Sequence, residues 1–453
     1  MSQDTRKMRL ALAASAVGTL LEWYDLYLAI ILAKVLSNQL FPGGESVYFL
    51  ETLAIVGSSF FVRPLGSLFF GSLGDRKGRK RSFLLSLLLM GGATFLIGLL
   101  PTFEQIGWWA PFFLLALRLI QGFALSGEYS GAIIYVAENA LEDKKGYYTG
   151  FIQATVPIGL LLCLSVVIGI QSLMEPADFQ AWGWRIPFLT SAVLVVFSYL
   201  IRRKMEEPPE LTQLKSSGGL SKAPVKESLG SFRNWRTILG IIFGGNAAQS
   251  TLMQTAQFVT LYFLQRTVRL EEHVSLIILA TALLLGAPFF QWAGKWSDRY
   301  GRRKVIYAGL CLGAISIPGS FWIFYHYGNP NHLSTPHGID GAILLLFIGL
   351  TWINTIASAL VYGPMGIYVM EFFSGRTRYT SMGFTHNVGN GVLGGVTPLL
   401  TEFLKTHLLV HATLMPFVGL AYPLTLLLLA LVLNPFLRSP YDQKLTIKGN
   451  PKM

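Results

Sequence analysis

The sequence predicts an all-α polytopic membrane protein: twelve transmembrane helices in two parallel six-helix pseudo-repeats, with both termini cytoplasmic. Three observations predict it. The 453 residues are 52% hydrophobic and only 13% charged, about half the charge of a soluble chain. Apolar segments long enough to cross a bilayer recur along the whole sequence. Lys and Arg collect in alternate connections between those segments.

The first set of spans falls at 10–36, 46–72, 82–100, 110–137, 147–171 and 185–202. The second falls at 237–264, 273–295, 304–325, 341–370, 380–403 and 412–436. Between them, 203–236 is polar and rich in Lys, Glu, Pro and Gly, a linker composition. The expected domains are an N-terminal bundle (1–202), a cytoplasmic linker (203–236), a C-terminal bundle (237–437) and a short cytoplasmic tail (438–453). The first residues are basic, as in a signal peptide. The apolar stretch that follows runs past signal length and contains Glu22 and Asp25, so it reads as a retained first helix.

With the N-terminus inside, the inside segments hold Arg6, Lys7, Arg9, the cluster Arg76–Arg81, Lys144, Lys145, the linker, Arg299, Arg302–Lys304, Arg376 and Arg378. The outside segments hold only Lys34, Arg185, Arg266, Arg269 and Lys405. The net charge of +12 is thus a topology signal facing anionic lipid. No zinc cluster or basic helical stripe points to nucleic acid. Cys163 and Cys311 both lie in apolar runs, so no disulfide framework exists. The expectation is a multi-pass protein of a prokaryotic cytoplasmic membrane, monomeric, with the lipid bilayer and a small molecule as its partners.

The halves repeat. Gly71-Ser-Leu-Gly-Asp75-Arg-Lys-Gly78-Arg79 joins spans 2 and 3, and Gly294-Lys-Trp-Ser-Asp298-Arg-Tyr-Gly301-Arg302 joins spans 8 and 9. Span 4 ends Ile134-Tyr135-Val136-Ala137-Glu138; span 10 ends Ile367-Tyr368-Val369-Met370-Glu371. Tyr148-Thr149 opens span 5 and Tyr379-Thr380 opens span 11. Parallel repeats of this kind place a binding site between the halves near the midplane, with alternating access by rocking.

The two Gly-x-x-x-Asp-Arg-x-Gly-Arg loops resemble the signature of the major facilitator superfamily. Finer matches resemble its metabolite:proton symporter branch, which includes carriers of oxoglutarate, citrate, shikimate and proline/betaine. These are Glu22-Trp23-Tyr24-Asp25, Arg63-Pro64-Leu65-Gly66, Arg118-Leu-Ile-Gln121-Gly122 with Gly127-Glu128, Trp182-Gly-Trp-Arg185-Ile-Pro187, Glu206-Glu207-Pro208, Glu371-Phe372-Phe373 to Arg378-Tyr379, and Asn387 with Gly394-Gly395 and Pro398. Ser126 and His386 depart from the branch pattern, which usually has glycine and an aromatic residue there. The resemblance implies the major facilitator fold and secondary active transport: proton-coupled symport of a small organic acid or zwitterion. It implies no enzymatic activity, no catalytic residues, no metal and no cofactor beyond the proton as coupling ion.

An ionisable group at membrane depth is costly, so it is functional or paired. Glu22 and Asp25 share one face of span 1. Arg118, Gln121, Leu125 and Glu128 form one stripe on span 4. In superfamily symporters spans 1 and 4 face each other, so the resemblance implies an Asp25–Arg118 pair. That pair either exchanges partners as Asp25 gains and loses a proton, or is a static bridge between helices. Glu22 and Glu128 are further candidates for proton coupling, or structural hydrogen-bonding groups. Arg63 contacts an anionic substrate or satisfies carbonyls freed near Pro64. Two arginines against three acids leave one acid to be neutralised, a balance that suits a proton-linked carrier of an anion or zwitterion.

For substrate binding the candidates are Arg63, Arg118, Gln121, Tyr24, Tyr27, Asn246, Gln249, Tyr362, His386 and Asn387. The candidates of the second half, uncharged at neutral pH apart from a titratable His386, supply hydrogen bonds for recognition or interhelical contacts. The loop motifs read as a cytoplasmic gate. Asp75 is suited to cap the N-terminus of span 11, Arg79 to pair with Glu138, and Asp298, Arg302 and Glu371 to repeat the arrangement. The alternatives are a proton-antiport exporter, weakened by Val156 where those exporters carry a glycine before Pro157, and a nontransporting nutrient sensor. Metalloprotease, serine protease and P-loop motifs do not occur in the sequence.

Overall fold

The computed structural model describes residues 3–42, 45–204, 206–331, 333–407 and 415–448. The first residues of the expected twelfth span (412–414), Met205 of the linker and the end of the tail (449–453) lie outside them. So do the side chains of Arg6, Lys7 and Arg9, on which part of the topology reading rests.

All twelve expected spans are helical over their described residues. Span 1 is Gln3–Ile31, continued by Ala33–Leu40 after a 58° bend. Spans 2 to 6 are Glu45–Lys77, Arg79–Gly98, Trp109–Asn139, Lys145–Ser172 and Arg185–Arg202. Span 7 runs unbroken from Phe232 to Thr267 but contains three π-helical segments, Ile242–Asn246, Thr255–Val259 and Phe263–Thr267. Spans 8 to 10 are Glu272–Tyr300, Arg302–Gly328 and Gly341–Met370. Span 11 comprises Arg378–His386, a π segment Asn387–Gly394, and Thr397–His407; span 12 is Ala421–Leu433, flanked by short 3-10 turns. Among the described residues, eight helices are long and apolar enough to cross a membrane, nine with the bent pair. Spans 7 and 11 owe their weaker signal to polar residues, and both carry π turns, a distortion that concentrates at functional sites.

The surface is the reverse of a soluble protein's. Phe61, Leu65 and Phe69, one turn apart on span 2, are each about half exposed or more, while Arg79, Arg118, Arg202 and Arg302 are fully buried. An exposed apolar lane beside buried cations is stable only where the solvent is hydrocarbon. Prolines 64, 157, 288, 318 and 364 lie within helices, as membrane helices tolerate.

Residue contacts divide the chain into two compact units. The first holds Met1–Leu141, Thr155–Asn234 and Phe373–Asn387; the second holds Glu142–Ala154, Trp235–Phe372 and Val388–Met453. Each unit therefore includes the opening turns of a span from the other half of the sequence. The linker, polar in composition, folds into two short helices, Pro209–Ser216 and Pro224–Leu229, each with proline in its first turn, where its missing N–H costs nothing.

Candidate functional site

In the first unit, close helix packing brings the buried ionisable groups together. Gly122 makes it possible: a side chain there would meet the backbone of Ser59, 2.0 Å from its carbonyl oxygen. Spans 2 and 4 consequently touch backbone to backbone. Beside that contact lies a cavity of about 10 Å³, the size of a single water. Asp25, Arg63, Arg118 and Gln121 line it, with Ser59, Met90 and Leu125 among its apolar and small residues.

Asp25 and Arg118 are linked by a directed chain of hydrogen bonds. Arg118 Nη1 donates to Gln121 Oε1 at 2.7 Å. Gln121 Nε2 donates to Thr94 Oγ1 at 2.6 Å. Thr94 Oγ1 is 2.9 Å from Asp25 Oδ2 and donates to it. Asp25 Oδ1 accepts no hydrogen bond among the described residues. Arg63 lies over the Phe60 ring at 4.3 Å. Glu22, 2% exposed, sits in the field of Arg63, Arg202 and Glu128.

Glu128 is held elsewhere. Arg202 grips both its carboxylate oxygens, Nη1 at 2.8 Å from Oε2 and Nη2 on Oε1. Ser86 adds a third hydrogen bond at 3.2 Å. Two arginines against three acids is therefore corrected: Arg202 is a third buried cation, so the buried arginines Arg63, Arg118 and Arg202 equal the acids Glu22, Asp25 and Glu128 in number. The residue closes the sixth span, where Arg203 and Lys204 follow it, and no role is assigned to it from the sequence alone. Its guanidinium turns inward because Gly18 leaves room; a Cβ there would fall 1.4 Å from Arg202 Nη2.

The aromatic candidates face other partners. Tyr24 donates its hydroxyl to the Pro187 carbonyl at 3.0 Å, toward span 6, and neither it nor Tyr27 lines the cavity. Tyr27 stacks on Trp23. His386 stacks on Tyr129 with centroids 3.9 Å apart. Asn387 donates to the carbonyls of Ser126 and Gly383 at 3.0 and 2.8 Å.

In the second unit, Asn390 donates to the Tyr362 hydroxyl at 3.3 Å. Asn246 is buried against Gly389. Gln249 is fully buried, and both polar atoms of its amide lack a hydrogen-bond partner among the described residues. Among the described residues no group of three or more His, Cys, Asp or Glu is placed to hold a metal.

The loop motifs build one arrangement in each unit. In the first, Asp75 caps the helix Arg378–His386: Oδ2 accepts from the Thr380 N–H at 2.9 Å and its hydroxyl at 2.7 Å, and Oδ1 accepts from the Tyr379 N–H at 3.3 Å. Arg79 pairs with Glu138, whose other oxygen takes Arg378 at 2.8 Å. In the second, Asp298 accepts from the N–H groups of Gly146 and Tyr147 at 2.8 and 2.7 Å. Arg302 bridges Asp298 at 2.5 Å and Glu371 at 3.1 Å. Both carboxylates thus sit on the positive end of a helix.

Two further acids complete this symmetry. Glu207 accepts from the N–H groups of Arg79 and Lys80 at 2.9 and 3.2 Å, and Asp442 accepts from that of Arg303 at 3.4 Å. The glycines before these helices have φ of 116° and 101°, accessible to glycine at no cost. A side chain at either would strike Glu207 or Asp442. The linker adds Glu210, 2.5 Å from Arg378, and Glu227, 2.9 Å from Arg376. Burial raises the Glu210 pKa, but Arg378 and Arg79 outweigh it and hold the carboxyl below its ordinary range.

Comparison with known proteins agrees with this fold. The Major Facilitator Superfamily model matches residues 15–398. The chain is 32% identical to the alpha-ketoglutarate permease of Escherichia coli K12, covering 89% of each protein. It is 34% identical to the shikimate transporter of the same organism, over 88% of this chain and 89% of that one. It is 32% identical to the proline/betaine transporter of Salmonella typhimurium, over 88% and 78%. Among solved structures, the proton:xylose symporter XylE bound to 6-bromo-6-deoxy-D-glucose superposes with a TM-score of 0.72 at 16% identity, covering 98% of this chain and 99% of that one. The chain belongs to the major facilitator superfamily, as a multi-pass transporter of a cytoplasmic membrane and not an enzyme.

Proposed function

We propose that the protein is a proton-coupled symporter of a small carboxylate-bearing or zwitterionic metabolite. The observation that carries this reading is the cavity shared by Asp25, Arg63 and Arg118, while Glu128 is already paired with Arg202. When Asp25 takes up a proton, the positive charge that it offset at Arg118 is left uncompensated. A buried charge without a partner is strongly unfavourable. A substrate carboxylate entering beside Arg63 and Arg118 restores neutrality, so proton and substrate occupancy favour each other. The relatives named for alpha-ketoglutarate, shikimate and proline/betaine supply the substrate class, all bearing a carboxylate. With about 10 Å³ free, the cavity must open for any of them to enter.

Gln249 is the leading candidate in the second unit, because its unpartnered amide gains hydrogen bonds when a polar ligand arrives. The caps by Asp75 and Asp298 act as a cytoplasmic gate: they hold the openings of spans 11 and 5, and release them in alternating access. The protein works as a monomer in the bilayer, with the proton as its coupling ion.

Uptake of labelled 2-oxoglutarate, shikimate, proline and betaine into proteoliposomes tests the reading, with and without an imposed proton gradient. Gradient-driven accumulation of one of them supports it. Binding without a gradient effect, or accumulation opposed to the gradient, contradicts proton symport.

A further inference from the structure

We propose that Thr94 is the positioning residue that carries the protonation state of Asp25 to Arg118, by turning its hydroxyl proton between the Asp25 carboxylate and the Met90 carbonyl. The proposal rests on the proton-symport reading and deepens it.

Thr94 is fully buried on span 3, one layer behind the stripe that bears Arg118 and Gln121. Its hydroxyl has one proton and two acceptors within reach. Asp25 Oδ2 is at 2.9 Å and Met90 O, one turn earlier on the same helix, is at 3.0 Å. A single hydroxyl satisfies one at a time. The same oxygen accepts from Gln121 at 2.6 Å, and Gln121 accepts from Arg118 at 2.7 Å. Every donor in this chain points toward Asp25.

That direction has a consequence. An ionised carboxylate is a much stronger acceptor than a peptide carbonyl, so with Asp25 charged the Thr94 proton belongs to Oδ2. The three bonds then polarise one another, and Arg118 is drawn toward Gln121. When a proton arrives on Asp25, whose Oδ1 has no hydrogen-bond partner among the described residues, the two acceptors become comparable. The Thr94 proton turns to Met90, the chain loses its charged end, and the hold of Gln121 on Arg118 loosens. No covalent bond changes except the O–H made on Asp25. The guanidinium becomes available to a substrate carboxylate at the moment the proton is bound.

Other groups lie near Asp25: Tyr24 from its own helix, Arg118 from span 4 and Cys163 from span 5 interact with its charge, and Arg63 from span 2 shares its cavity. Among the hydrogen bonds described, none of them joins Asp25 to the Gln121–Arg118 arm. Thr94 does.

The test needs no substrate. Purified full-length protein is stepped in pH while infrared difference spectra record two signals: a carboxyl C=O band assigned by its loss in Asp25→Asn, and a guanidinium band assigned by its change in Arg118→Lys. In the unmodified protein the two should rise together. In Thr94→Val, isosteric but without the hydroxyl, the carboxyl band should persist while the guanidinium response falls several-fold. Thr94→Ser should restore it, which separates the hydroxyl's role from packing. A guanidinium response equal in Thr94→Val and the unmodified protein overturns the proposal and leaves the proton-symport reading standing. Absence of the carboxyl band in the unmodified protein overturns both.

Discussion

Asp75 and Thr380, 305 positions apart in the chain, are joined by two hydrogen bonds to one carboxylate oxygen, from the threonine N–H at 2.9 Å and its hydroxyl at 2.7 Å. The bonds anchor the opening of span 11 to the end of span 2. Charge reversal, Asp75→Lys, places a cation on the positive end of that helix and should release it. Gly383, buried one helical turn on, accepts a Cβ at ordinary contact distances of 3.5 Å or more. In a background lacking both native cysteines, Gly383→Cys should therefore react with a soluble maleimide several-fold faster when Asp75→Lys is added. Equal rates would count against the gate.

Glu128 and Arg202 form a buried pair, each about 1% exposed. Removing one member of such a pair costs about 3–5 kcal/mol because the other is stranded, whereas replacing both with apolar or neutral groups is often neutral. Arg202→Met should thus lower the unfolding temperature sharply, and Glu128→Gln with Arg202→Met should recover most of the loss. Thermal unfolding in detergent checks the pairing, and proton-driven uptake by the double variant separates it from a proton role for Glu128, in which the double variant would be stable yet unable to drive uptake.

Gln249 predicts the opposite behaviour. A buried amide with no partner costs about 1–3 kcal/mol, so Gln249→Leu should raise the unfolding temperature. If the amide serves the substrate, the same change should raise KM for uptake. A lower unfolding temperature would show that the amide is structural.

These predictions mark what was legible. The span pattern and the repeated Asp-Arg-x-Gly-Arg loops located Asp75, Arg79, Glu138, Asp298, Arg302 and Glu371, because helix-end charges at fixed spacing have few places to go. Arg202 was not legible. Nothing in the run Arg202-Arg203-Lys204 says which cation turns inward, and the answer depends on Gly18, a distant neighbour in sequence. Thr94 was hidden for a similar reason: a lone threonine in an apolar helix shows its partner only after packing. Glu207 and Asp442 had a visible signal, an acid following the last span of each half, but their partners are backbone N–H groups, which no side-chain pattern advertises.

The linker makes a claim about pH. Burial raises the Glu210 pKa, yet Arg378 and Arg79 outweigh it and the folded value lies below the ordinary one of about 4.5. A depressed carboxylate contributes stability that is present above the ordinary value and lost as the pH falls through the folded one. Glu210 is 40% exposed, so the contribution is small and screened. Glu210→Gln should lower the unfolding temperature slightly at neutral pH, and the difference should vanish in acid. A difference that grows with acidification would contradict the pairing with Arg378.

The most direct measurement compares the unmodified protein and Asp25→Asn in proteoliposomes, reading uphill accumulation under a proton gradient and substrate exchange without one. The account predicts that Asp25→Asn abolishes accumulation and spares exchange. Uphill uptake unchanged in Asp25→Asn would contradict it.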